Sequence, residues 1–234
     1  MKLLLIALLV SSSVIASSDF IPEASGATKV GLQIVIAGDE EPKSLWILEN
    51  GELTKTSVKG AAWDDMEAMA TVSDDTFFAI TSHSLTKKGK RRPEREQLFL
   101  MKLDKKITVV ESWSLRAAVL EHLESSFGEE LDMNEVSTAS PDKGGMNVEG
   151  MAYVGSKLYI GLRSPITKKG EAIVLILDNA MSEPEIVGDL SLRLSGRGIR
   201  GLETSGKDLI VLSGSSNDES ETFGLHRLNK YRRN

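Results

Sequence analysis

The chain contains no cysteine. Disulfides, thiolate-ligated zinc and a cysteine nucleophile are therefore excluded. Histidine is nearly absent too: His83, His122 and His226 are the full set, so a three-histidine metal site would consume every one. There is no basic surplus. Lys and Arg number 28 against 34 Asp and Glu, a net charge of −6, which argues against a generic nucleic-acid binder. Beyond the N-terminus no apolar run approaches the roughly 20 residues that span a bilayer. What is present looks globular. Of 234 residues, 41% are hydrophobic and 26% charged, which excludes whole-chain disorder. The length suits one large domain or two small ones, and such a chain buries an adequate core without disulfides.

The N-terminus has the form of a targeting segment. Met1-Lys2 gives a positive start, and Leu3 to Val10 is unbroken apolar sequence. Small residues at Val14 and Ala16 suit signal peptidase, so residues 1–16 read as a signal peptide cleaved after Ala16. A membrane anchor is the alternative, but the run is too short to span. The expected product is exported, periplasmic or secreted, without a transmembrane anchor. Residues 17–29 read as a loose leader.

From residue 30 the pattern is β: short runs of Val, Ile, Leu and Phe separated by Gly, Asn, Asp and Ser. It also repeats. Asn147-Val148-Glu149-Gly150-Met151-Ala152 matches Gly198-Ile199-Arg200-Gly201-Leu202-Glu203 without a gap. The same offset matches Lys157-Leu158-Tyr159-Ile160 to Asp208-Leu209-Ile210-Val211. A further copy begins at Asp65-Met66-Glu67-Ala68-Met69-Ala70 and runs through Phe77-Phe78-Ala79-Ile80 to Lys102-Leu103-Asp104. It is longer than the others because of a Lys/Arg-rich loop. Each copy reads as strand, turn, strand, loop, strand, with a fourth strand at Ile107 to Trp113 and at Glu185 to Leu190. Upstream, Val30–Ala37, Leu45–Glu49 and Leu53–Val58 form a partial unit around an Asn50-Gly51 turn, a strong hairpin signal.

This pattern predicts an all-β, propeller-like fold of about four blades, each a four-stranded antiparallel sheet. A plain β-sandwich is the alternative. The first and last blades each read as short of a strand, so the ends are expected to complete one another. One segment, 114–146, departs from the repeat. Ser114 suits a helix cap, and Leu115, Val119 and Leu123 share one helical face. We read it as a helical insertion, with 131–146 as loop, inside a single domain spanning 30–234.

Two groups of residues could carry chemistry. The inner-strand motif supplies Asp65, Glu67, Asn147 and Glu149, with Arg200 at the equivalent place in the last copy. If inner strands line the channel, these groups converge on the axis. Like charges there need an arginine, or a cation such as Ca²⁺ or Mg²⁺ held by Asp65, Glu67 and Glu149. The second group is basic. Lys87-Lys88-Gly89-Lys90-Arg91-Arg92-Pro93-Glu94-Arg95 is a positive patch on an acidic chain. Arginine forks match phosphate and carboxylate oxygens. Lys90, Arg91 and Arg92 are candidate ligand-binding residues, together with Arg163 one blade later and Ser82 and His83 at the preceding strand end. A Ser–His nucleophile is disfavoured, because adjacent strand residues point to opposite faces.

The motifs 65–67, 82–84 and 88–93, then 147–152 and 161–165, then 198–202 and 212–214, resemble the family catalogued as domain of unknown function 3616. The likeness covers roughly residues 30–229. Ala68 stands where that family usually has Gly. The resemblance implies a propeller-like β fold and no established reaction. A more distant likeness, to esterase-like phytase propellers, rests on the strands bearing Glu67 and Glu149. Two functions follow as expectations. One is an exported module binding an anionic small molecule or glycan at the basic rim loop. The other is a metal-assisted phosphoester hydrolase, with Asp65, Glu67 and Glu149 holding the ion and Arg91, Arg92 and Arg163 the phosphate.

Overall fold

The computed structural model describes residues 21, 23–38, 41–60, 62–217 and 222–229. The signal peptide read at 1–16 lies outside the described residues. Among the described residues no helix is long and apolar enough to cross a membrane.

Four antiparallel sheets follow one another along the chain. The first holds β1 (Ala24–Val30), β2 (Gln33–Gly38), β3 (Ser44–Glu49) and β4 (Glu52–Ser57). The second holds β5 (Met66–Thr71), β6 (Thr76–Thr81), β7 (Gln97–Leu103) and β8 (Ile107–Ser114). The third holds β9 (Asn147–Val154), β10 (Lys157–Ile166), β11 (Glu171–Asp178) and β12 (Glu185–Arg193). The fourth holds β13 (Gly198–Ser205), β14 (Asp208–Gly214) and β15 (Gly224–Leu228). Each is a simple meander, so its first strand is always an edge. These first strands are neighbours: β5 lies beside β1 and β9, and β9 beside β13. The result is the expected arrangement of four propeller blades.

The expectation that both terminal blades lack a strand is corrected. β1 is a full strand that takes in the last six residues of the supposed leader and turns into β2 through Gly31 at φ +59°. The first blade is therefore complete. The fourth has three strands among the described residues, and none of them pairs with the first blade.

Strand alternation explains the core. On β6, Phe77 and Ala79 pack towards the first sheet, while Phe78 and Ile80 pack towards the third. On β10, Leu158, Ile160 and Leu162 face the second sheet and Tyr159 faces the fourth. A middle blade is covered on both faces, so its strands read as continuous apolar runs. Three apolar clusters join consecutive sheets, and no fourth joins the last sheet to the first among the described residues. Close approach needs glycine at one boundary. Gly150 and Gly161 are register partners, and a Cβ at either would come within 2.9 and 2.6 Å of Ile199 Cγ2.

The insertion forms two helices, α1 (Arg116–Phe127) and α2 (Met133–Thr138). Val119, Leu123 and Phe127 of α1 and Val136 of α2 join the core between the second and third sheets. Ser114 does not cap α1. It ends β8, and the cap position is Leu115, without a side-chain bond. Nor is 131–146 all loop: Asp132 caps α2 by accepting from the Glu135 N–H at 3.1 Å.

Candidate functional site

The inner strands bring Glu149 and Arg200 together as their register predicts. Glu149, on β9, is buried. Its Oε2 accepts from Arg200 Nε on β13 at 3.0 Å. Its Oε1 accepts from Arg163 Nη1 on β10 at 3.0 Å and from Asn147 Nδ2 at 3.1 Å. Asn147 Oδ1 is buried with no hydrogen-bond partner among the described residues. One carboxylate thus holds two guanidiniums from adjacent blades. Sequence reasoning put Arg163 at the basic rim. The structure places it here instead, only 6% exposed, because a long side chain on β10 reaches the acid on the paired strand β9.

Asp65 pairs with another cation, whose charge Glu67 also feels. Arg95 Nη1 lies 2.9 Å from Asp65 Oδ2, and its Nε donates to Asp64 Oδ2 at 2.9 Å. Burial lowers the Arg95 pKa, but hydrogen bonding to Asp64 and the charges of Asp65, Asp64 and Glu67 outweigh it and leave the pKa raised. Among the described residues no three His, Asp or Glu side chains gather to hold a metal ion. Asp65, Glu67 and Glu149 therefore form no metal triad. Arginines supply the positive charge that a cation would have provided.

The basic loop is compact. Thr86 N–H donates to Lys90 O at 3.0 Å, and Gly89, at φ +69°, turns the chain. Lys87, Lys88 and Lys90 are exposed. Arg92 pairs with Asp64 at 3.2 Å. Arg91, its side chain 65% exposed, forks onto Glu96, with Nε to Oε1 at 2.6 Å and Nη2 to Oε2 at 2.7 Å. Glu96 is buried, and a second guanidinium approaches it: Arg116 Nε lies 3.8 Å from Oε1. Arg116 also donates to His83 O and, at 3.0 Å, to Ser137 O. Hydrogen bonding to Glu96 raises the Arg91 pKa, whereas burial lowers that of Arg116. Both remain cations at neutral pH. Sequence patterning could not reveal the pair, because Arg116 looks like an ordinary polar residue at a helix start.

These two arginines sit on a cleft of about 380 Å³. Leu85, Gly89 and Arg91 form one wall, Arg116, Ala117 and Leu120 of α1 the other, and Ser137 and Thr138 of α2 close it. A second cleft, of about 460 Å³, lies at the far side of α2 and mixes Glu130, Asp132, Glu135 and Asp142 with Lys143 and Lys168.

Ser82 and His83 are corrected as ligand contacts, since both are fully buried. Ser82 Oγ pairs with Ser84 Oγ at 2.9 Å, and Arg95 Nη1 donates to Ser84 Oγ at 3.1 Å. His83 has φ +57°. Its Nδ1 lies 2.8 Å from Thr81 O, an acceptor only, so Nδ1 carries the proton. Burial pushes its pKa down to about 4. Lys168 and Lys169, in the loop after β10, bind Glu129 O and the Glu130 carboxylate of the insertion.

A family described as protein of unknown function (DUF3616) matches residues 115–234, just over half of the chain. The chain belongs to the DUF3616 family. The match covers the helical insertion, the third and fourth blades and the Glu149 cluster; the 87–95 loop precedes it. No curated protein matches the chain. Among solved structures, the WD40 domain of Neurospora crassa Pan2 is 11% identical with a TM-score of 0.45, over 86% of this chain and 45% of that one. A chain of a nidogen–laminin complex is 12% identical with a TM-score of 0.46, over 84% of this chain and 59% of that one. BamB from Moraxella catarrhalis is 9% identical with a TM-score of 0.42, over 90% of this chain and 45% of that one. This DUF3616 protein thus spans about half the length of these structures.

Proposed function

We propose that this protein is an exported binding module that holds an anionic small molecule or acidic glycan at the cleft beside the basic loop. The observation that carries this reading is the ratio at Glu96: two guanidiniums that line an open cleft, Arg91 and Arg116, share one buried carboxylate behind it. That leaves one uncompensated positive charge where solvent enters. The exposed Lys87, Lys88 and Lys90 add to the local field and raise the concentration of anions nearby. Arg91 uses two of its five N–H donors on Glu96, so three remain for a ligand. Arg163 and Arg92, earlier candidates for the same site, are engaged by Glu149 and Asp64.

Calorimetry against inositol phosphates, nucleotides, acidic glycans and short-chain carboxylates tests the reading. Binding to at least one is expected, weakened at least tenfold in Arg91→Gln. A wild-type protein that binds none refutes it. The hydrolase alternative would need the three carboxylates to gather, and among the described residues they do not. Export belongs to the same proposal and rests on Leu3–Val10 and the Val14-x-Ala16 site. N-terminal sequencing of exported protein should begin at Ser17; recovery of the intact chain from the cytosol would sink it.

A further inference from the structure

We infer that the cleft selects an amphipathic carboxylate, a single carboxyl group carrying a compact hydrocarbon tail, over a phosphate-rich polyanion. The inference rests on reading the cleft as an anion site. The composition of the walls favours this class of ligand. Only Arg91 and Arg116 bring charge into the cleft, and Glu96 already cancels one of the two. One net positive charge matches one carboxylate. The lysines of the loop are not part of the lining.

Beside the guanidiniums, on both walls, the lining is hydrocarbon. Leu85 comes from the loop, and Ala117 and Leu120 stand three apart on α1, one turn that presents both to the same side. Leu120 packs its far side on the core between the second and third blades, so this wall is fixed in place. A ligand of phosphates alone would leave Ala117 and the open side of Leu120 wet and bring more negative charge than the cleft can offset. A carboxylate can take the remaining N–H groups of Arg91 while its tail covers Ala117 and Leu120 next to the buried Leu85. The volume, about 380 Å³, sits at the small end of ligand sites and limits the tail to a short chain or one ring.

The test is calorimetry of the whole exported chain against acetate, butanoate, hexanoate and benzoate, with inorganic phosphate and inositol hexakisphosphate as separate arms. Affinity should rise along the carboxylate series by about fourfold per methylene buried, the equivalent of ~0.8 kcal/mol. Hexanoate or benzoate should exceed phosphate at least tenfold. Arg91→Gln should weaken hexanoate at least tenfold. Ala117→Asp, at an exposed position, should abolish binding with the thermal transition unchanged. A flat carboxylate series with Arg91-dependent binding of phosphate or inositol hexakisphosphate would overturn this inference and leave the anion site standing. No binding in any arm overturns both. A rising series that Arg91→Gln and Ala117→Asp leave intact puts the carboxylate elsewhere and also overturns the inference.

Discussion

Arg200 on β13 crosses the boundary between the third and fourth blades to meet Glu149 on β9, Nε to Oε2 at 3.0 Å. The same carboxylate holds Arg163 from its own blade. Glu149 therefore ties the fourth blade, which has one strand fewer than the others among the described residues, to the rest. Removing Glu149 takes away the acceptor that two nearly buried guanidiniums share. Glu149→Ala should cost on the order of 3–5 kcal/mol. Arg200→Met should cost less, because Glu149 keeps Arg163 and Asn147. Urea denaturation of both variants decides the matter, and equal small losses would show that Glu149 does not organise the boundary.

Ile199 fits where two glycines leave room, and this makes a second test of the same boundary. A Cβ at Gly161 would lie 2.6 Å from Ile199 Cγ2 and 3.1 Å from Ile199 Cδ1. Gly161→Ala should destabilise by about 1–3 kcal/mol through overpacking. Ile199→Ala alone should also destabilise, by opening a cavity. Combined, the two changes should cost less than their sum, since the added methyl fills part of the space. Additive losses in a thermal-melt cycle would contradict the contact.

Sequence periodicity exposed the blades because each inner strand must do the same job. Glu149 and Arg200 occupy equivalent places, so their meeting is legible in the sequence. β1 was not readable. Its inward positions include Gly26, and a Cβ there would sit 3.2 Å from Ala68 Cα, so the strand carries small residues where a hydrophobic signal would normally appear. Arg163 was misassigned for another reason. Its charge matches the rim pattern, but which acid a long side chain reaches depends on strand pairing. The cleft was the least legible of all, because its walls come from a loop after β6 and a helix after β8, whose proximity no local pattern encodes.

The arginines of the loop differ in partner, and the difference is measurable. Arg92 meets Asp64, which is partly exposed, whereas Arg91 meets Glu96, which is 2% exposed. An ion pair at the surface contributes little to folding. Losing the fork on a buried carboxylate leaves acceptors poorly satisfied. Arg92→Gln should therefore leave the melting temperature unchanged, while Arg91→Gln lowers it measurably without unfolding the protein. The reverse order in differential scanning calorimetry would mean that Glu96 is served by Arg116 alone.

His83 makes the fold sensitive to acid. It is fully buried, its Nε2 has no hydrogen-bond partner among the described residues, and burial holds its pKa at about 4 against 6.5 when exposed. The unfolded chain therefore binds the proton first on acidification. The stabilising effect of a neutral His83 is complete above pH 6.5 and is lost as the pH falls from 6.5 towards 4. At about 1.36 kcal/mol per pH unit the loss reaches about 3 kcal/mol. Below that pH the folded protein must itself accept a charge beside Arg116, whose guanidinium donates to the His83 carbonyl. The control is His83→Asn, since asparagine tolerates the left-handed backbone at φ +57° and does not titrate. Urea midpoints measured from pH 7.5 to 4.5 should fall steeply for the parent and more gently for the variant. Parallel curves would mean that other groups, not His83, set the acid limit.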